Sequence, residues 1–191
     1  MLRRSLPTAL ALTALLAACR GPAVPNAMTG ETRYLCCNMH YEKPDISDVN
    51  YLKGTLIPFG TRVQVLEVRK NSVEFQPAGH PTITLVLKYG KDAITMDQYL
   101  ERIFVREDPH TKLPRPGKDK KQAAAAERTR KLLEEATVEP GMTKDEVLMA
   151  LGYPPVHRTP SLSASMWTYW ANRWATFEVY FDGDKVSRVQ R

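Results

Sequence analysis

Residues 107–119 hold three prolines and a glycine, and neither a helix nor a sheet runs through such a stretch. Proline lacks the amide proton that both lattices use, and it pushes the residue before it out of the helical region. The segment therefore predicts a linker and divides the 191-residue chain into two pieces with different periodicities. The piece before it reads as short strands. The piece after it opens with helices.

In the first piece, Gly54-Thr55-Leu56-Ile57 leads through Pro58-Phe59-Gly60 into a run over 61–68. There Val63 and Val65 alternate, while Leu66 and Val68 suggest that the buried face is crossed. Ser72-Val73-Glu74-Phe75 alternates cleanly, and Ile83, Leu85 and Leu87 share one face of 82–87. Residues 96–105 predict a short helix, with Met96, Tyr99, Leu100 and Ile103 recurring at three and four. Several short strands with tight turns predict a small antiparallel barrel over 34–106.

In the second piece, residues 120–136 have high helix propensity, built on Ala123–Ala126 and Leu132-Leu133. Thr143-Lys144-Asp145-Glu146 is a capping box, and its helix carries Val147, Leu148 and Leu151 inward as far as Gly152. Strands follow at 166–171, 175–181 and 185–189, with Asp182-Gly183-Asp184 as a hairpin turn. Trp167 and Tyr169 share one face; Trp170 and Trp174 fall on the other and form the candidate partner surface. The predicted fold class is α+β: a small β-barrel, then a module of two helices on a three-stranded antiparallel sheet over 120–191.

The N-terminus is a targeting segment rather than structure. Arg3 and Arg4 precede an apolar run, Leu6 to Leu16, which is shorter than the roughly 20 residues a spanning helix needs. Leu16-Ala17-Ala18-Cys19 resembles the lipobox of bacterial lipoproteins. That resemblance implies removal of residues 1–18, lipid on the Cys19 thiol and acylation of its amine. Several acyl chains at about 0.8 kcal/mol per buried methylene hold a protein on a membrane for good. Arg20 stands where an aspartate would mark inner-membrane retention, so the resemblance implies the periplasmic face of an outer membrane. Residues 19–33, without periodicity, read as a tether.

Removing residues 1–18 lowers Lys+Arg from 27 to 25 against 21 Asp+Glu. The excess gathers in 112–131, where Lys112, Arg115, Lys118, Lys120 and Lys121 form a candidate patch for anionic lipid or an acidic protein face. Nucleic acid is not an expected partner in that compartment. Cys36 and Cys37 are adjacent in an oxidising location, which leaves a disulfide to each other, a cross-link to a partner, or thiol chemistry open. Cys-Cys-x-x-His lacks zinc-site spacing, and His40, His80, His110 and His157 are scattered among turns. No nucleophile elbow, metalloprotease helix or phosphate loop is present. The expectation is a non-enzyme without metal or cofactor.

Two resemblances sharpen this. Ile57 to Val65 is similar to a phrase of bacterial SH3-like domains, which offers peptidoglycan binding by residues 34–106 as the alternative function. Gly141-Met142-Thr143-Lys144-Asp145-Glu146-Val147, Leu151-Gly152-Tyr153-Pro154, Trp167-Thr168-Tyr169 and Phe177-Glu178-Val179-Tyr180-Phe181-Asp182 together resemble the SmpA/OmlA family of small outer-membrane lipoproteins. The family includes the E subunit of the β-barrel assembly machinery. The likeness spans residues 125–191, about a third of the chain. It implies a protein-interaction scaffold among envelope proteins, serving outer-membrane protein assembly or envelope integrity. The β-rich half and the basic linker depart from the family's shorter pattern.

Overall fold

The structure is a computed structural model and describes residues 22–113 and 119–191. Cys19, Arg115 and Lys118 lie outside the described residues. Over these described residues the fold is mixed α+β, with three α-helices and several sheets.

In the first half the strands are β1 (Thr32–Leu35), β2 (Met39–Tyr41), β3 (Asp45–Ser47), β4 (Thr55–Ile57), β5 (Arg62–Arg69), β6 (Ser72–Pro77) and β7 (Ile83–Val86). Helix α1 (Met96–Ile103) and strand β8 (Phe104–Val105) follow. The strands β5, β6 and β7 form an antiparallel meander. A register shift between Val65 and Glu67 explains the crossing seen in the sequence. Val63 and Val65 point inward, Leu66 is turned outward at 39% exposure, and Val68 is buried again. One extra residue in a strand exchanges its two faces. Ile83, Leu85 and Leu87 are all buried, as their alternation predicts.

Helix α1 starts with a reciprocal cap, in which the Thr95 hydroxyl accepts from Gln98 N–H and the Gln98 side chain accepts from Thr95 N–H. Its face Met96, Tyr99, Leu100 and Ile103 is buried as expected. The helix ends two residues early. Phe104 and Val105 pair with Leu35 and Tyr34 of β1, and Phe104 packs edge-on against Phe75 at 4.9 Å. Burial of an aromatic ring against a sheet outweighs the small gain from one more half-turn of helix.

The expected barrel does not close. The main sheet has the order β3-β7-β6-β5-β1-β8, open between β3 and β8, with β3 parallel to β7. Thr55–Ile57 stay out of this sheet and pair with β2 in a separate ribbon, so the main sheet keeps two free ends. The expected tether is also shorter than 19–33. Val24 N–H donates to Val68 O, Gly30 N–H donates to Val65 O, and Met28 is buried. Residues 23–24 and 30–31 thus meet β5 beyond the start of β1, with a turn over 27–30 between them.

The second half contains α2 (Lys120–Glu134), α3 (Lys144–Leu151), β9 (Met166–Trp170), β10 (Thr176–Asp182) and β11 (Lys185–Gln190), with the sheet order β11-β10-β9. Thr143 and Glu146 form the predicted capping box, and Gly152 ends α3 at φ +81 with its N–H on Leu148 O. Leu133, Val147, Ala150, Trp167 and Val179 lie at 0% exposure in its core.

The two halves share a seam. Phe59, from the first half, is buried in the core of the second, while Val156 packs on the core of the first. Asn38 is 1% exposed and satisfies groups from both sides. Its amide donates to Leu133 O (2.6 Å) and Ala150 O (3.1 Å), and its side-chain oxygen accepts from Phe59 N–H (2.8 Å). Asn50 adds a second stitch, donating to Leu151 O and Asn38 O while accepting from His40 N–H. The final carbonyls of a helix have no partner inside the helix. Here the turn after β1 supplies partners to the ends of both α2 and α3.

Candidate interaction surface

The hairpin between β9 and β10 carries the most exposed large apolar side chain among the described residues, Trp174 at 87%. Its turn is set locally: the Asn172 side-chain oxygen accepts from Trp174 N–H (2.8 Å) and Ala175 N–H (3.1 Å). Asparagine favours such turns because its side chain mimics a backbone acceptor. The Arg173 guanidinium lies 5.9 Å from the Trp174 ring. An indole held out in water on a fixed turn contributes nothing to the core.

Trp170 lies on the sheet face opposite Trp167 and Tyr169, which are both buried. It is half-buried and packs edge-on against Tyr51 at 6.3 Å. Its indole N–H is buried and unpartnered. Tyr51 belongs to the first half, so the contact crosses the seam. Beyond it, Tyr89 is 41% exposed, stacks on His157 at 5.4 Å and lies under the Lys88 ammonium at 5.2 Å. Burial first, and then a hydrogen bond with Tyr89, raise the Tyr51 hydroxyl above the ordinary tyrosine range.

The loop bearing Tyr89 is fixed from below. The Asp48 carboxylate accepts from the backbone N–H groups of Lys88 (3.0 Å), Tyr89 (3.1 Å) and Gly90 (2.7 Å). Three donors compensate the burial of that charge. The result is a band of rings, Trp170, Tyr51, Tyr89 and His157, built from both halves. Sequence reasoning singled out Trp170 and Trp174 and missed Tyr51, Tyr89 and His157. Those three lie in loops, where periodicity carries no signal.

Of the basic patch, Lys112 sits at the end of a 3-10 turn (Pro109–Lys112), and Lys120 and Lys121 open α2. All three are exposed. Two cations at the positive end of a helix dipole oppose helix stability. Asp119 offsets this by capping the helix, accepting from Lys121 N–H.

Cys36 and Cys37 are joined to each other by a disulfide directly before Asn38. Cys36 N–H donates to Ile103 O, and Cys37 is buried. Three of the four histidines contact an aromatic ring. His80 meets Tyr41, His110 stacks on Phe59 and bonds Asp108, and His157 stacks on Tyr89. Burial lowers the pKa of His40. Among the described residues, no group of three or more His, Cys, Asp or Glu side chains could hold a metal ion. No helix among them is long and apolar enough to cross a membrane.

No family model matches the sequence, and neither the curated proteins nor the solved structures contain a match to it.

Proposed function

We propose that this protein is a non-enzymatic, lipid-anchored scaffold of the cell envelope that binds other envelope proteins. The reading places it on the periplasmic face of the outer membrane, in outer-membrane protein assembly or envelope integrity. It includes an SmpA/OmlA kinship for residues 120–191, supported by four ordered strings and by the helix-helix-strand-strand-strand order. It also includes an SH3-like origin for 34–106, supported by the Ile57–Val65 phrase and by the β5-β6-β7 meander.

The observation that carries the reading is Trp174. An exposed tryptophan on a pre-formed turn, beside an arginine, has the composition of an interface anchor. The band of Trp170, Tyr51 and Tyr89 offers rings of the same kind nearby. The lipobox accounts for how such a surface would be confined to one membrane, and the basic residues 112–131 suit anionic lipid or an acidic partner face.

A photo-crosslinking amino acid at position 174, in intact cells, tests the scaffold. Capture of one or a few discrete envelope proteins is expected, with no capture from an exposed control position such as Lys91. Equal labelling from both positions rejects it. The anchor is tested separately with Cys19→Ser, which should move the protein from the membrane to the soluble fraction.

A further inference from the structure

Residues 36–38 reach all three α-helices of the described residues. Cys36 N–H donates to Ile103 O at the end of α1 (2.9 Å), in the first half. Asn38 N–H donates to Met149 O (2.9 Å), and its side-chain amide donates to Leu133 O and Ala150 O. These three acceptors stand in the last turns of α2 and α3, in the second half. Carbonyls there lack partners inside their own helix. Cys37 separates the anchor on the first half from the anchor on the second, and the disulfide joins it to Cys36.

Bonding two neighbours in sequence closes a small ring through the peptide bond between them. While the ring is closed, the soft torsions on either side of that bond, ψ of Cys36 and φ of Cys37, cannot turn independently. Opening it frees both where they set the relation between the two anchors. The consequence reaches the surface, because Tyr51 and Trp170 meet across the same seam and Leu52 N–H donates to Trp170 O (3.3 Å). The two cysteines differ in access. Cys36 is half-buried and packed on the first core, while Cys37 is 3% exposed.

We propose that the Cys36–Cys37 disulfide is a redox switch on the seam, thrown by a protein dithiol. Closed, it holds the two halves in register; reduced, it lets the seam loosen while each core stays folded. The reductant's thiolate attacks the Cys36 sulfur, the S–S bond breaks, and the Cys37 sulfur leaves as a thiolate that takes up a proton. The reductant's second thiol gives up its proton and displaces Cys36 from the mixed disulfide, and the Cys36 sulfur is protonated in turn. Two electrons pass to the protein, which gains two thiols, and the dithiol becomes a disulfide. An oxidising location makes the closed form the resting one. The switch rests on the scaffold reading only for its purpose, the gating of the band of rings. It is read on the protein alone, so the two fail separately.

The test is hydrogen exchange read by mass spectrometry on the purified full-length protein, with and without dithiothreitol as the dithiol. Alkylation after denaturation counts the thiols. Full reduction without denaturant is expected, and the seam segments 36–41 and 57–61 should then exchange about tenfold faster or more. The central strands β6 and β10 should change by less than about twofold. Reoxidation with oxidised glutathione should restore the slow rates. Cys36→Ser with Cys37→Ser should show the fast seam permanently and ignore dithiothreitol; if that variant misfolds, the response of the parent protein decides alone. A disulfide that yields only in denaturant overturns the proposal. So does complete reduction with unchanged seam exchange. Reduction that speeds the central strands as much as the seam makes the bond a staple of the whole fold and overturns it as well. Discrete crosslinks from position 174 beside an inert disulfide remove the switch and leave the scaffold; a responsive seam without crosslinks does the reverse.

Discussion

Asn38→Ala should destabilise the protein by about 3 kcal/mol, far more than removal of an ordinary turn asparagine. The residue is 1% exposed, and its side chain makes three hydrogen bonds, to Leu133 O, Ala150 O and Phe59 N–H. A neutral hydrogen bond contributes about 1 kcal/mol net, and a buried partner left without one costs about 1–3 kcal/mol; Leu133 O keeps the Ala136 N–H, so Ala150 O and Phe59 N–H are the groups at stake. Water entering the vacated space would recover part of that loss, which sets the lower figure. Asn38→Asp separates this account from simple loss of packing, because it conserves shape. Its carboxylate would face two carbonyl oxygens at the negative ends of α2 and α3, in place of an amide that donates to both. Burial and those carbonyls raise the pKa of this carboxyl in the folded state above its unfolded value. The variant's deficit is therefore smallest at low pH, where both states are protonated. It grows as pH rises from the unfolded pKa through the folded one. Urea denaturation followed by tryptophan fluorescence, with buried Trp167 as reporter, measures both variants at pH 4.5 and pH 8. A cost below about 1 kcal/mol for Asn38→Ala would refute the seam argument. So would an Asn38→Asp variant whose deficit relative to the parent is unchanged between the two pH values.

His40 should make the parent protein lose stability as the solution is acidified. Burial holds its folded pKa below the ordinary 6.5, so the unfolded chain takes up the proton first as pH drops through that value. Denaturation midpoints between pH 7.5 and 5 should fall more steeply for the parent than for His40→Gln; parallel slopes would discount the burial effect. Thr143→Ala removes the cap of α3 and should cost about 1 kcal/mol, with Ser at the same position recovering most of it. Thermal melts decide this, and an unchanged midpoint would mean that packing alone holds the helix start. Trp174→Ala should leave stability within about 0.5 kcal/mol, since the ring is out in water. A larger loss would show the indole to be part of the fold and not an interface anchor.

What could be read from the sequence was what neighbouring residues decide among themselves. The face of α1, the Thr143–Glu146 cap, the Gly152 stop, the alternation through Ile83, Leu85 and Leu87 and the order of the C-terminal elements all follow from local periodicity and capping chemistry. Of the rings on the candidate surface, the sequence singled out only Trp170 and Trp174; a strand pattern assigns Trp170 to its face, while Trp174 stands in the turn between two strands. The pairing of strands far apart in sequence was not legible. Whether Thr55–Ile57 joins β2 or β5 depends on which partner buries more surface, and the residues themselves are equally strand-like either way. For the same reason Phe104 and Val105 left the helix for β1, and residues 23–24 and 30–31 meet β5. Asn38 and Asn50 look like turn formers, which they are; that they also cap two helices about a hundred residues away is visible only when the halves meet. Tyr51, Tyr89 and His157 stand in loops, and their stacking with Trp170 across the seam is a product of tertiary structure alone. Local free energies of a few tenths to one kcal/mol per residue write the elements. Burial of apolar area and satisfaction of buried polar groups, which are non-local, decide where the elements go.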